Sequence, residues 1–209
     1  MRTLTLVRHG ETAWNAENRV QGSVDKPLSG RGRSQARALC RGLERLGRSF
    51  DLLICSDLAR ARQTAGILAE GLGLPEPRLT PLLRELHCGD WEGITLEELR
   101  SNHRDAYLRW KRDPFFRIPG GESIMDVRIR VERFFREQAA PLEDGARVLM
   151  VAHGLLNRMV LSVILGADPQ PTRYFAQDNT AINEFSWRDG SAFCERWNDV
   201  RHLEEVPPC

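Results

Sequence analysis

Two stretches of this 209-residue chain end in the same way. RTLTLVRHG, residues 2–10, is a run of apolar and β-branched residues that stops in an arginine, a histidine and a glycine. RVLMVAHG, residues 147–154, is a second apolar run that stops in a histidine and a glycine. Both runs have the length of buried strands. A strand ending on His9 presents an imidazole that can act as nucleophile or base. Arg8 beside it carries a permanent charge and a donor fork that suits phosphate oxygens. Arg60 falls in the first turns of a predicted helix, whose amino end also favours anions. His153 and Gly154 open another predicted helix. Brought together, these residues would make a pocket for a dianion, its charge balanced by protein cations. The sequence has no G-x-x-x-x-G-K-[ST] loop and no carboxylate cluster suited to Mg²⁺, so no metal and no cofactor are expected.

The elements that must position these residues follow from periodicity. Residues 2–8 read as a first strand and 10–28 as a loop. Ser29 caps a helix running to about Leu46, with Ala36, Leu39, Leu43 and Leu46 on one face. Residues 51–55 read as a strand, and Ser56 as the cap of a helix from Asp57 to about Leu72. A short strand is expected within 75–81, helical pattern over 95–112, and a loop carrying Phe115 and Phe116 over 114–121. A helix is predicted from Glu122 to about Ala139, a strand over 146–152 and an apolar helix from Leu155 to Leu165. Two late strands, 179–187 and 192–197, flank an Asp189-Gly190 turn. Strands alternating with helices predict a three-layer α/β/α sandwich with a mainly parallel central sheet and antiparallel late strands. In such sheets the functional crevice lies beyond the carboxyl ends of the strands, where Arg8, His9 and His153 fall.

Composition bounds the function. The 30 basic and 29 acidic residues nearly cancel, which argues against nucleic acid as partner. No run of about 18 apolar residues occurs, so no membrane partner is expected. The cysteines (Cys40, Cys55, Cys88, Cys194 and Cys209) are odd in number and form no C-x-x-C pair. With no signal-like segment at the start, reduced thiols in the cytoplasm are the expected state, with Cys40 and Cys55 in the core.

The motifs taken in order resemble those of the histidine phosphatase superfamily, the phosphoglycerate mutase-like group. RHGET at 8–12 with Asn15 is similar to its signature, VQG at 20–22 and DKPLSGRGRSQA at 25–36 to its loop and first helix. CSDLARARQTA at 55–65, LRELHCGDWEG at 83–93, PGGES at 119–123 and VAHG at 151–154 follow in the family's order. The resemblance implies one domain over 1–209, with a helical and loop insertion at about 86–121 over the active site. It implies a metal-independent phosphatase acting on a small phosphorylated metabolite. His9 would become phosphohistidine, Arg8, Arg60 and His153 would bind the phosphoryl oxygens, and Glu85 would exchange protons with leaving group and water. Asn15 would add a hydrogen bond, and Gln21 and Gly22 would line the substrate side. The substrates implied include phosphoserine, phosphoglycerate, α-ribazole phosphate and sugar phosphates.

A mutase is the alternative reading, and a silent phospho-ligand binding module a further one. Family mutases show a tyrosine soon after the acid and a later Arg-Arg pair. Here Leu86, His87 and Cys88 follow Glu85, and no Arg-Arg occurs between 86 and 120. His87 is a candidate contact to a substrate carboxylate. The polar stretch 197–209 is either a frayed tail or a strap that brings Arg201 and His202 towards His87. The late strands leave a sheet edge that could support a homodimer.

Overall fold

The computed structural model describes residues 2–139 and 145–206. In chain order the elements are β1 (Arg2–Arg8), α1 (Ala13–Ala16), α2 (Gly30–Arg45), β2 (Leu52–Ser56), α3 (Ala59–Leu72) and β3 (Arg78–Thr80). Then come α4 (Leu96–Asn102), α5 (Arg104–Arg112), α6 (Ile124–Phe134), β4 (Arg147–Ala152), α7 (Gly154–Ile164) and α8 (Pro169–Thr172). The antiparallel pair β5 (Ile182–Arg188) and β6 (Ser191–Asp199) closes the sheet, and a 3-10 turn spans Arg201–Glu205.

The six strands lie in the order β3-β2-β4-β1-β5-β6. The first four are parallel, and β5 and β6 run antiparallel at one edge. Alternation along β1 and β4 sorts the core onto two faces. Leu4, Leu6, Val148 and Met150 pack with α6 and α7, while Val7, Leu149 and Val151 pack with α2 and α3. Leu39 and Leu43 of α2 and Leu68 of α3 are fully buried there. Each such side chain is worth about 1.5–3 kcal/mol of burial. This is the sandwich expected from the sequence.

The central feature for function is the β1–β4 pairing. Arg8 sits opposite Ala152 in a parallel register. The next residue on each strand is therefore His9 and His153, and the His9 N–H donates to the Ala152 carbonyl at 3.0 Å. The two imidazole centroids stand 5.1 Å apart. Gly10 must then let the chain turn under α2, because a Cβ there would lie 2.4 Å from the Gly32 carbonyl oxygen.

Several boundaries differ from the expectation. The stretch 10–28 contains the single turn α1, closed by a capping box between Thr12 and Asn15. Ser56 does not open α3: it ends β2, and the helix begins at Ala59. The Ala59 N–H is capped instead by Asp25 Oδ1 at 2.6 Å, a partner 34 residues away that local sequence does not reveal. The 95–112 segment is two helices with a break at His103. Helix α6 starts after Ser123, which caps it, and passes into a π-helical turn at Phe135–Ala139. The Asp189-Gly190 turn is as predicted, with φ of +50° and +77° as a tight hairpin requires. No helix among the described residues is long and apolar enough to cross a membrane.

Candidate active site

Beyond the carboxyl ends of the parallel strands lies a cleft of about 610 Å³. Its walls include Arg8, His9, Arg60, Glu85 and Gly154, with Asn15, Gln21 and Gly22 on one side. His153 lies against this group, fully buried. A separate cavity of about 300 Å³ opens near Phe134, Val148 and Trp187, but its only charged wall residue is Arg2.

The hydrogen bonds fix the state of both histidines. His9 Nδ1 lies 2.7 Å from the Gly10 carbonyl oxygen. A carbonyl can only accept, so Nδ1 carries the proton and Nε2 carries the lone pair. That lone pair faces Arg60, whose Nε is 3.2 Å away. The same Arg60 Nε lies 3.2 Å from His153 Nδ1. His153 Nδ1 therefore accepts, and its Nε2 carries the proton. Nε2 of His153 and Nε of Arg8 are both buried and have no hydrogen-bond partner among the described residues. Two buried donors of the site thus stand unsatisfied, which is costly unless a ligand accepts from them.

Charge reinforces this assignment. Burial, then Arg60 and Arg8, holds the His9 imidazole well below its ordinary range. Burial, then Arg60 and His9, does the same for His153. Both rings are neutral. The Arg60 guanidinium is itself brought down to about 10, mainly by burial, and remains a cation at neutral pH. Burial also lowers Arg8.

Loop carbonyls hold the arginines. Arg60 donates to the carbonyls of Gly22 at 2.7 Å and Val24 at 2.8 Å. Gly22 has φ +52°, and a Cβ there would meet Glu92 Oε1 at 2.3 Å, so only glycine permits this loop. With the Gln21 amide oriented by its neighbours, Nε2 donates to Thr12 Oγ1 at 2.6 Å and Oε1 accepts from Arg60 Nη1 at 2.7 Å. Arg8 Nη1 donates to the Gln177 carbonyl at 2.6 Å. Asn15 receives the Thr12 N–H on Oδ1 at 3.2 Å.

Glu85 stands at the amino end of α7. Its carboxylate accepts from the N–H groups of Leu155 (3.1 Å), Leu156 (3.2 Å) and Leu86 (3.0 Å). A Cβ on Gly154 would lie 3.6 Å from Arg8 Nε and 3.7 Å from Glu85 Oε2, so the missing side chain leaves the space between them open.

The structure therefore brings together nine of the residues picked out by sequence: Arg8, His9, Asn15, Gln21, Gly22, Arg60, Glu85, His153 and Gly154. His87 is not on the cleft wall; its Nδ1 lies 3.0 Å from Ser23 Oγ and 3.1 Å from Glu92 Oε1. The strap reading of the chain end is corrected. Arg201 pairs with Asp199. His202 is buried between Gly42 of α2 and Thr180, far from any contact with His87, and residues 207–209 lie outside the described residues. Phe116 stacks on Trp91 at 6.4 Å and anchors its loop, while Phe115 is exposed.

Asn179, Gln177 and Arg158 are among the wall residues that were not picked out. Asn179 Nδ2 donates to the His9 carbonyl at 3.0 Å. Gln177 is gripped by Asn157 and Asn183 through bonds of 2.7 and 2.8 Å, and so fixes the carbonyl that holds Arg8. Arg158 lies one turn after Gly154 on α7. Its spacing from Gly154, four residues, was the available signal.

The comparisons agree with this geometry. Residues 4–200 match the family model for the histidine phosphatase superfamily (branch 1). The chain belongs to that superfamily. A protein named probable phosphoglycerate mutase from an Enterobacter species is 34% identical over 207 residues, spanning 95% of this chain and 94% of its own. A mycobacterial glucosyl-3-phosphoglycerate phosphatase, solved with vanadate, superposes with a TM-score of 0.86 at 33% identity, covering 95% of this chain and 99% of its own. A mutant phosphoserine phosphatase from Entamoeba histolytica, in complex with phosphoserine, superposes at 0.83 with 28% identity, covering 97% of this chain and 100% of its own.

Proposed function

We propose that this chain is a phosphomonoester hydrolase working through a phosphohistidine at His9. The observation that carries the reading is the His9 Nε2 lone pair, set by the Nδ1–Gly10 bond and flanked by the unsatisfied donors of Arg8 and His153. Nε2 attacks phosphorus in line, and the phosphorus–oxygen ester bond breaks. The leaving alkoxide takes a proton from Glu85 and departs as an alcohol. Glu85 then takes a proton from water, the hydroxide attacks phosphorus, and the N–P bond breaks to return the lone pair to Nε2. Arg8, Arg60, the His153 Nε2–H and Asn15 bind the phosphoryl oxygens and stabilise the charge of the transition state. Gln21 and Gly22 hold Arg60 in place, and Gly154 keeps the space beside Glu85 clear.

The arginines supply the charge that a metal ion supplies elsewhere, so turnover does not depend on one. The substrate is a small phosphorylated metabolite; phosphoserine, phosphoglycerate, α-ribazole phosphate and sugar phosphates are the class. The phosphatase names of the superposed structures support hydrolysis. The mutase names of the sequence relatives favour a second reading, transfer to another hydroxyl. Buried free thiols at Cys40, Cys55 and Cys88 accord with a reducing cytoplasm.

Release of inorganic phosphate from p-nitrophenyl phosphate and from natural phosphomonoesters, in excess EDTA, tests the proposal. Release undiminished by chelation is expected. Isomerisation of a phosphoglycerate without net release would support the mutase reading, and activity lost to EDTA and restored by Mg²⁺ or Zn²⁺ would overturn the metal-independent chemistry.

A further inference from the structure

Glu85 has two opposite tasks to perform from one position. In the reaction proposed above it gives a proton to the leaving group and then takes one from water. Its own hydrogen bonds do not secure that position equally in the two states. The N–H groups of Leu86, Leu155 and Leu156 point at its oxygens. Such bonds weaken when a carboxylate becomes a carboxylic acid. A hold that ignores the proton has to act on the main chain instead.

Arg130 of α6 supplies that hold. Its Nη1 donates to the carbonyls of Leu82 at 3.0 Å and Arg84 at 2.5 Å. Its Nη2 donates to the Glu85 carbonyl at 3.4 Å and to Glu122 Oε2 at 3.1 Å. The four Nη hydrogens are thereby all engaged. The same Glu122 oxygen accepts the His87 N–H at 2.9 Å, and the Glu122 N–H donates to the His87 carbonyl at 2.8 Å. The chain on both sides of Glu85 is thus tied to one guanidinium and its carboxylate partner. A Cβ on Gly121 would lie 2.4 Å from the His87 carbonyl oxygen, so glycine is what lets the loop before α6 come this close. The Arg130 side chain is 16% exposed and does not line the cleft, so it acts on Glu85 and not on the substrate.

We propose that Arg130 is a positioning residue that keeps the Glu85 carboxyl aimed at the leaving-group oxygen whether that carboxyl is protonated or ionised. The proposal rests on the phosphatase reading above and deepens it. Arginine suits the task because its planar fork meets several carbonyls at once, which the single ammonium of lysine does not. Without it the carbonyls of residues 82, 84 and 85 and the Glu122 carboxylate lose a partner, and the segment carrying Glu85 is free to shift. A displacement of about 1 Å is enough to slow a proton transfer severely.

Phenyl phosphate and p-nitrophenyl phosphate are the probes, because they are alike in shape and differ in how far the leaving group needs a proton. The quantity measured is kcat/KM, which covers the step in which that group departs. Arg130→Met should lower it at least ~10-fold for phenyl phosphate and less than ~3-fold for p-nitrophenyl phosphate. In Glu85→Gln protein, which has no proton to deliver, adding Arg130→Met should cost phenyl phosphate less than ~3-fold more. Arg130→Lys should show the same bias at smaller size, and it carries the test if Arg130→Met does not fold. Equal losses on the two esters, no loss on either, or an undiminished loss in the Glu85→Gln background would overturn the proposal and leave Arg130 as a staple between α6 and the loop. If Glu85→Gln discriminates between the esters and the Arg130 variants do not, this inference alone falls. If Glu85→Gln itself fails to discriminate, the proton-transfer role of Glu85 falls and this inference with it.

Discussion

One N–H of Arg60 faces both histidines: its Nε lies 3.2 Å from His9 Nε2 and 3.2 Å from His153 Nδ1, with Gln21 Oε1 as a further acceptor at 2.9 Å. The forked bond fixes both tautomers, keeps one lone pair on His9, and turns the His153 proton outward. Long, divided bonds of this kind are weak, so an arriving anion can take over the donor and free the His9 lone pair for the attack proposed above.

Arg60→Lys should accordingly fail although charge is retained. Lysine lacks the planar set of donors that meets the two imidazoles together with the Gly22 and Val24 carbonyls. A loss of at least ~100-fold in kcat/KM, about 2.7 kcal/mol, is expected for p-nitrophenyl phosphate. A variant within a few-fold of wild type would show that charge alone suffices.

Glu85→Gln should discriminate between leaving groups. The variant keeps the size and most contacts to α7 but cannot exchange a proton. Hydrolysis of an aliphatic ester should fall ~100-fold or more, and that of p-nitrophenyl phosphate, whose leaving group scarcely needs a proton, by less than ~10-fold. Equal losses would assign Glu85 to anchoring α7.

Stability should fall with acid in a defined window. The imidazoles of His9 and His153 are depressed in the folded protein. Below about pH 6.5 the unfolded chain therefore binds protons that the folded chain refuses. The two histidines contribute fully above that value, and each costs up to about 1.4 kcal/mol per pH unit as the pH falls towards the folded values. Urea-unfolding free energies at pH 7 and 5 measure the slope. His9→Ala should reduce it by about one histidine's share, and an unchanged slope would mean that His9 titrates normally.

Much of this was readable from residues 2–10 and 147–154. An apolar strand that ends in His-Gly announces both its burial and its exit, and the helical stripes of α2 and α3 follow from spacing alone. What local pattern could not show were contacts between distant segments. Asp25 caps a helix 34 residues on. Gln177 and Asn179 look like loop polarity until Arg8 and His9 are found leaning on them. His87 has the chemistry of a substrate contact, but Glu92 and Ser23 claim its ring. His202 is polar and near the chain end, but Gly42 leaves room for it to pack on α2.

The central claim is that His9 itself carries the phosphoryl group. The most direct measurement is mass spectrometry of enzyme mixed with substrate and quenched within milliseconds in alkali, which preserves phosphohistidine. The account predicts a phosphoryl adduct that maps to His9, forms at least as fast as turnover, accumulates in Glu85→Gln with p-nitrophenyl phosphate, and is absent from His9→Ala. Turnover in wild type with no adduct on His9, or an adduct on a serine or aspartate that persists in an active His9→Ala protein, would contradict it.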